Sequence, residues 1–287
     1  MSTKSGDNAG ILDKRRISII GYGNEGRQHA QRLRDSGTDF VIGVRPGNSW
    51  ERASKDGFDV FSISDAVSGS DVVIVTLAAD GIRTSFEKYI SPYMKEGASL
   101  VITDPFFPCY QLLETNKNYD IGVFFVTGQD ISSSQADLIP KSAYISVLNN
   151  FSKKAQDIAA ELATLEGIAD DHICFEDLRD IAESKIFAEE AVMKGAGIFI
   201  RAAIATMENN GYNSKMSKEI VLNTYMAAAN EYLRKNDEKK VKTDGQSRSE
   251  TIMEENIAEY MNEVIKLTKT GIIARDRMLS ELTLTNH

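Results

Sequence analysis

Ile17-Ser18-Ile19-Ile20 runs directly into Gly21-Tyr22-Gly23-Asn24-Glu25-Gly26, and a helical pattern follows over Gly23–Ser36. An apolar strand, a glycine-rich turn and a helix, in that order, leave few folds open. The first glycine permits the tight turn, the second lets backbone approach a pyrophosphate, and the third lets the helix pack closely on the strand. The first amides of that helix then face the phosphates. Glycine-rich turns are common, so the motif draws its weight from lying between a strand and a helix at the head of an alternating region.

The alternation continues for about 175 residues. Ile17–Ile20, Phe40–Val44, Val72–Leu77, Ser99–Ile102, Ile121–Val126 and Ala143–Val147 are β-rich runs. Between and after them, Gly23–Ser36, Ser49–Asp56, Ser64–Ser68, Ile82–Met94 and Ser152–Glu166 carry helical spacing or helix-start residues. Parallel strands need crossover connections, so this order predicts a doubly wound, mostly parallel α/β sheet of Rossmann type. From about Asp177 no strand pattern recurs. Helical runs over roughly 178–209, 214–236, 252–270 and 272–283 predict an all-α second domain, with Gly211 and Gly271 placed as C-caps. The boundary is set at 178/179, giving domains 1–178 and 179–287. The charged stretch Lys235–Ser249 is expected to be a solvent loop between helices.

The end of the second strand selects the dinucleotide. An acid about 20 residues after the glycines would bind the ribose 2′-hydroxyl of NAD. Here the chain reads Val44-Arg45-Pro46-Gly47-Asn48-Ser49, with no acid until Glu51. Arg45 offers a planar guanidinium to a 2′-phosphate, with Asn48 and Ser49 as neutral donors. The expected cofactor is therefore NADPH, contacted by Gly21, Tyr22, Gly23, Asn24, Glu25, Gly26, Arg45, Asn48, Ser49, Leu77, Ala78 and Ala79.

Composition removes other classes. Hydrophobic residues at 42% and charged residues at 26% are those of a globular chain. A net charge of -9 argues against nucleic-acid binding, which needs a basic face. No apolar run reaches the roughly 18 residues of a membrane span. The polar start MSTKSGDNAG lacks the apolar core of a signal peptide, and Cys109 and Cys174 show no metal or redox spacing. The setting expected from this is the cytoplasm.

Longer stretches resemble the ketol-acid reductoisomerases. The similarity runs through Ile20–Gly26, Leu33-Arg34-Asp35-Ser36-Gly37, Val41–Gly47, Ser49-Trp50, Asp56-Gly57-Phe58, Ala66-Val67, Asp71-Val72-Val73 and Lys95-Glu96-Gly97-Ala98. It continues more thinly through Ala191-Val192-Met193, Gly195, Gly211-Tyr212 and the tail from Glu254 to Glu281. The resemblance implies a Rossmann domain followed by an interlocked helical domain, knotted or not, that forms a homodimer. It also implies NADPH or NADH and two magnesium ions, used to isomerise and reduce acetohydroxy acids.

The chemical half of that pattern departs. The family's histidine-glycine-phenylalanine-asparagine motif is Asp104-Pro105-Phe106-Phe107 here, and its alanine-proline-lysine-glycine is Phe125-Val126-Thr127-Gly128. The metal-binding aspartate and glutamate of the first helix align with Lys185 and Glu189. The two glutamates of the next helix align with Ile220 and Thr224, beside Glu219. Two Mg²⁺ ions need several hard oxygen ligands, and a lysine four residues from one carboxylate opposes that. Lys185 also matches the helix lysine of the β-hydroxyacid dehydrogenases, which protonates a carbonyl oxygen without a metal.

Lys185, Glu189 and Asp104 are thus the catalytic candidates. Lys185 is equally readable as a surface lysine paired with Glu189 or Glu183, and Asp104 as a turn and N-cap residue. Gln129-Asp130 and Ser132-Ser133-Ser134 are readable as substrate contacts or solvent loop, while His29 and His172 have no metal-ligand companion. Three functions stay open. One is a metal-independent NADPH reductase of a small ketone, 2-keto acid or imine. The others are a magnesium-dependent ketol-acid reductoisomerase and a silent NADPH-binding subunit.

Overall fold

The computed structural model of the chain describes residues 10–77, 79–110, 113, 117–128, 141–236 and 248–284. Strands β1 (Ile17–Ile20), β2 (Phe40–Gly43), β3 (Val60–Phe61), β4 (Val72–Val75), β5 (Ser99–Ile102), β6 (Asp120–Thr127), β7 (Ser142–Asn149) and β8 (Ile173–Phe175) form one eight-stranded sheet. Their order is β3-β2-β1-β4-β5-β6-β7-β8. All pairings are parallel except that of β6 with β7, where Thr127 lies opposite Ser142. The sheet is therefore mostly parallel.

Apolar residues occupy both faces of the inner strands because helices cover both sides. Ile17, Ile19, Ile42, Val72 and Ile74 point to one core, shared with α1 (Asn24–Asp35) and α6 (Ala155–Leu165). Ile20, Val73, Val75, Leu100 and Ile102 point to the other, with residues of α3 (Ile63–Gly69). The remaining helices of this part are α2 (Asn48–Lys55), α4 (Ala79–Ser85) and α5 (Phe106–Tyr110). The helical pattern read over Ile82–Met94 is broken: α4 passes into a π turn at Phe86–Ile90 and a 3₁₀ turn at Ser91–Tyr93, where Pro92 removes a backbone donor.

The rest of the described chain is helical. A continuous run comprises α7 (Leu178–Phe187), a π turn at Ala188–Met193 and α8 (Lys194–Asn209). Then come α9 (Ser214–Asn236), α10 (Arg248–Lys269) and α11 (Ile272–Leu284). Gly211 and Gly271 both have positive φ, 87° and 72°, just past helix ends, where a side chain would be strained. Chain contacts separate two units: among the described residues, the first comprises those through Ala182 together with 281–284, and the second those from Glu183 to Ser280. Among the described residues, no helix is long and apolar enough to cross a membrane.

Candidate functional site

The β1–α1 turn sits where the strand order reverses, between β1 and β4. Ligands of doubly wound sheets bind at the strand ends at this point. Gly21 has φ 107°, and a Cβ there would lie 2.9 Å from Thr76 Oγ1. A Cβ on Gly26 would lie 2.3 Å from the Gly21 carbonyl oxygen and 2.6 Å from Thr76 Oγ1. Packing therefore demands glycine at both. Gly23 differs, because a Cβ there would meet nothing within 4 Å. The protein itself leaves that space empty, which suits close approach of a ligand. Gly23 is also the N-cap of α1 and offers no side-chain acceptor, so the first amides of the helix are free of a cap.

The β2–α2 turn repeats the arrangement. Gly47 has φ 135° and caps α2 without a side-chain hydrogen bond. Together the two turns line a cleft of about 580 Å³, formed by Gly21, Tyr22, Gly23, Asn24, Glu25, Arg45, Asn48 and Ser49 with Val44, Pro46, Gly47, Ile63, Thr76 and Leu77. That volume lies within the usual range of small-molecule sites. Arg45 is exposed at its edge. Tyr22 is 1% exposed and its hydroxyl donates to Asp56 Oδ2 at 2.7 Å. Burial and then the Asp56 carboxylate push this phenol up to about 12, so it shapes the wall and does not exchange protons near neutrality.

Most of the expected cofactor contacts are thus drawn into one cleft. Gly26 is not part of the lining; it lies beneath, where the helix meets the strand. Ala79 begins α4, and Ala78 lies outside the described residues, as do Gln129, Asp130 and Ser132–Ser134. Thr76 and Ile63 escaped the sequence reading. Thr76 Oγ1 donates toward the carbonyls of Ile20 and Gly21, 3.3 and 3.2 Å away, and its only sequence mark is its place at the end of β4. Asp104 follows β5 and accepts a hydrogen bond from the Phe106 amide at 2.7 Å, capping α5; it is not among the residues lining the cleft.

The helical unit holds a compact group of charges. Glu189 Oε1 lies 3.3 Å from Lys185 Nζ, and Glu189 Oε2 lies 2.8 Å from Arg277 Nη2. The same Arg277 nitrogen is 2.7 Å from Glu190 Oε1, and Lys194 pairs with the other Glu190 oxygen. Tyr260 donates its hydroxyl to the Glu190 carbonyl at 2.8 Å. Glu189 and Glu190 point to the same guanidinium from within the π turn, a wide turn often found at functional positions. Burial would raise the Glu190 carboxyl, but Lys194 and Arg277 outweigh it and hold it below the ordinary range. Burial likewise opposes the charge on Arg277, and Glu190 and Glu189 more than restore it.

Sheet order, uncapped helix heads and cleft together define a Rossmann-type dinucleotide-binding protein. Residues 11–170 match the NADPH-binding domain of acetohydroxy acid isomeroreductase, and the chain belongs to that family, also called the ketol-acid reductoisomerases. Its class is thus that of NAD(P)-dependent oxidoreductases. An NADH-preferring ketol-acid reductoisomerase from an uncultured archean has the same fold, with TM-score 0.79 and 22% identity over 96% of this chain and 90% of that one. A semialdehyde dehydrogenase NAD-binding protein from Cupriavidus necator gives TM-score 0.64 at 16% identity, covering 88% of this chain and 99% of its own. A pyrroline-5-carboxylate reductase from Coxiella burnetii gives 0.57 at 14%, covering 88% and 97%. At these identities the likeness is one of fold.

The residues present do not fit the family's two magnesium ions. Both oxygens of Glu189 already face cations, and the Ile220 side chain, aligned in the sequence reading with a metal-binding glutamate, has no oxygen to offer and is 48% exposed. The neighbouring Glu219 stands 3.8 Å from Lys215. Among the described residues, no group of three or more His, Cys, Asp and Glu is placed to hold a metal.

The glycines divide into two experimental classes. Gly26→Ala is expected to destabilise the fold by about 1–3 kcal/mol through overpacking. Gly23→Ala is expected to melt like the wild type yet bind NADPH at least roughly tenfold more weakly, since its methyl group meets only the ligand. Calorimetry and fluorescence titration would separate them. Wild-type NADPH affinity in Gly23→Ala would remove the cleft as the cofactor site.

Proposed function

We propose that this chain is an NADPH-dependent reductase of a small ketone, 2-keto acid or imine that works without a metal ion. The observation that carries this reading is the double cationic contact on Glu189. Where a metal site would need negative charge, this scaffold presents a lysine and an arginine closed onto a carboxylate. The family's isomerisation depends on metal ions polarising substrate oxygens. A lysine can instead assist reduction by giving up a proton.

In this reading the bound NADPH supplies the hydride. Gly21, Gly23 and the α1 amides hold its pyrophosphate, and Arg45 with Asn48 and Ser49 holds the 2′-phosphate. The arginine and the lack of an acid before Glu51 favour NADPH over NADH. Lys185 donates the proton to the substrate oxygen or nitrogen. Glu189 keeps the ammonium oriented, and Arg277 keeps Glu189 in place. Asp104, at the end of β5, caps α5 through Oδ1 and in this reading orients the substrate. The enzyme works in the cytoplasm on a small-molecule substrate.

The helical unit also supports a homodimer. Ile198, Phe199, Ile220 and Met226 are 56%, 48%, 48% and 49% exposed, and α8 has no buried residue. An apolar surface of this kind marks a contact with another chain. A second copy of the same helices is the proposed occupant.

Two measurements check these readings. NADPH oxidation over a panel of small carbonyls and imines should be unchanged by EDTA and fall about 10²- to 10⁴-fold in Lys185→Ala. Arg45→Glu should raise the KM for NADPH by roughly tenfold or more while sparing NADH. A magnesium requirement, or full activity in Lys185→Ala, would overturn the mechanism. Light scattering at micromolar concentration should give twice the chain mass, and a monomer would remove the dimer.

A further inference from the structure

A buried histidine lies directly beneath the head of α1. His29 is 0% exposed, and its Nδ1 lies 2.5 Å from Glu166 Oε1, at the C-terminal end of α6. The other Glu166 oxygen accepts from Arg32 Nη1 at 3.1 Å. The second ring nitrogen, Nε2, is buried and has no hydrogen-bond partner. A buried polar atom left in that state is costly, and its position calls for an explanation.

Glu25 provides one. It stands one helical turn before His29, and its Oε1 is 3.8 Å from His29 Nε2, an ion-pair separation too long for a hydrogen bond. The same Glu25 lines the cleft. It lies in the first turn of α1, where the positive end of the helix favours a carboxylate. A pyrophosphate is drawn to that end by the same field, so the two anions compete.

We propose that His29, as an imidazolium, is a positioning residue for the dinucleotide: it draws the Glu25 carboxylate back from the head of α1 and cancels its charge when a pyrophosphate binds there. About an ångström of side-chain movement converts the ion pair into a hydrogen bond and satisfies the orphaned Nε2. No bond is made or broken and no proton leaves the pair. Glu166 anchors the ring from below, so that only Glu25 has to move. This inference rests on the reading of the cleft as the NADPH site.

The surroundings keep the imidazole charged. Burial alone would strip its proton, but Glu166 and then Glu25 outweigh burial and raise it to about 9. Among the described residues, the charged groups facing this cluster are Glu166 after α6, Arg32 and Glu25 on α1, and Lys141 before β7. Burial, followed by Arg32, pushes the Lys141 amine down, against the pull of Glu166. The Phe124 ring of β6 lies 6.0 Å from the imidazole and brings no charge. Below about pH 9 His29 is charged and attracts the Glu25 carboxylate; above it the proton is lost, and that attraction with it.

Fluorescence titration of the full chain with NADPH between pH 7 and 10 tests this. The wild-type Kd should stay flat to about pH 8 and then rise roughly three- to tenfold as His29 deprotonates. Glu25→Gln alters a side chain that is 40% exposed, so folding should survive. In that variant the step should be smaller and lie at lower pH, because the carboxylate that helps hold the proton is gone. The ¹⁵N resonance of His29 Nε2 should move on adding NADPH in the wild type and move less in Glu25→Gln. A wild type with no alkaline step, or a variant with a step of the same size and midpoint, would overturn the proposal. Failure to bind NADPH at pH 7.5 would instead remove the cofactor site on which it rests.

Discussion

The close approach of Gly26 to the Gly21 carbonyl sets the position of nearly everything functional in the first unit. With a Cβ only 2.3 Å from that oxygen, no larger residue fits without movement of backbone. The approach brings α1 down onto the end of β1 and points its uncapped amides into the cleft. It also fixes which residues of α1 face inward: Ala30 and Leu33 enter the apolar core, while His29 reaches Glu166. One steric constraint thus connects the strand end, the helix head and a buried ion pair.

How much of this could be read from the chain depended on the range of the interaction. The inner strands were legible because both faces are buried, leaving runs such as Val72-Val73-Ile74-Val75 with no polar interruption. The helix ends at Gly211 and Gly271 were legible because only glycine adopts their backbone angles cheaply. Strand β3, two residues long, is too short to show a period. The π turn at Ala188–Met193 is a single wide turn inside a long helical run, too short to show a period of its own.

The cleft was legible in outline for a related reason. Its glycines, Arg45, Asn48 and Ser49 belong to short turns whose chemistry is local. The charge contacts were not. His29 and Glu166 are 137 positions apart, and Glu190 and Arg277 are 87 apart. The Lys185–Glu189 pair, four residues apart on one helical run, could be anticipated, and Glu190–Lys194 has the same spacing. Arg277 then makes the difference to the chemistry. A lysine and a glutamate alone leave one carboxylate oxygen for a cation, whereas the guanidinium takes the second. The dinucleotide half matches the family's NADPH-binding domain, and in the helical half Glu189 is part of a salt-bridge network.

That exchange of metal for internal cations is the central claim, and manganese tests it most directly because its EPR signal reports the free ion in a site built for magnesium. Titration of the full-length protein with Mn²⁺ in the presence of NADPH should show no stoichiometric binding beyond that of the nucleotide itself. Two tightly bound Mn²⁺ ions per chain, lost in Glu189→Gln, would contradict it.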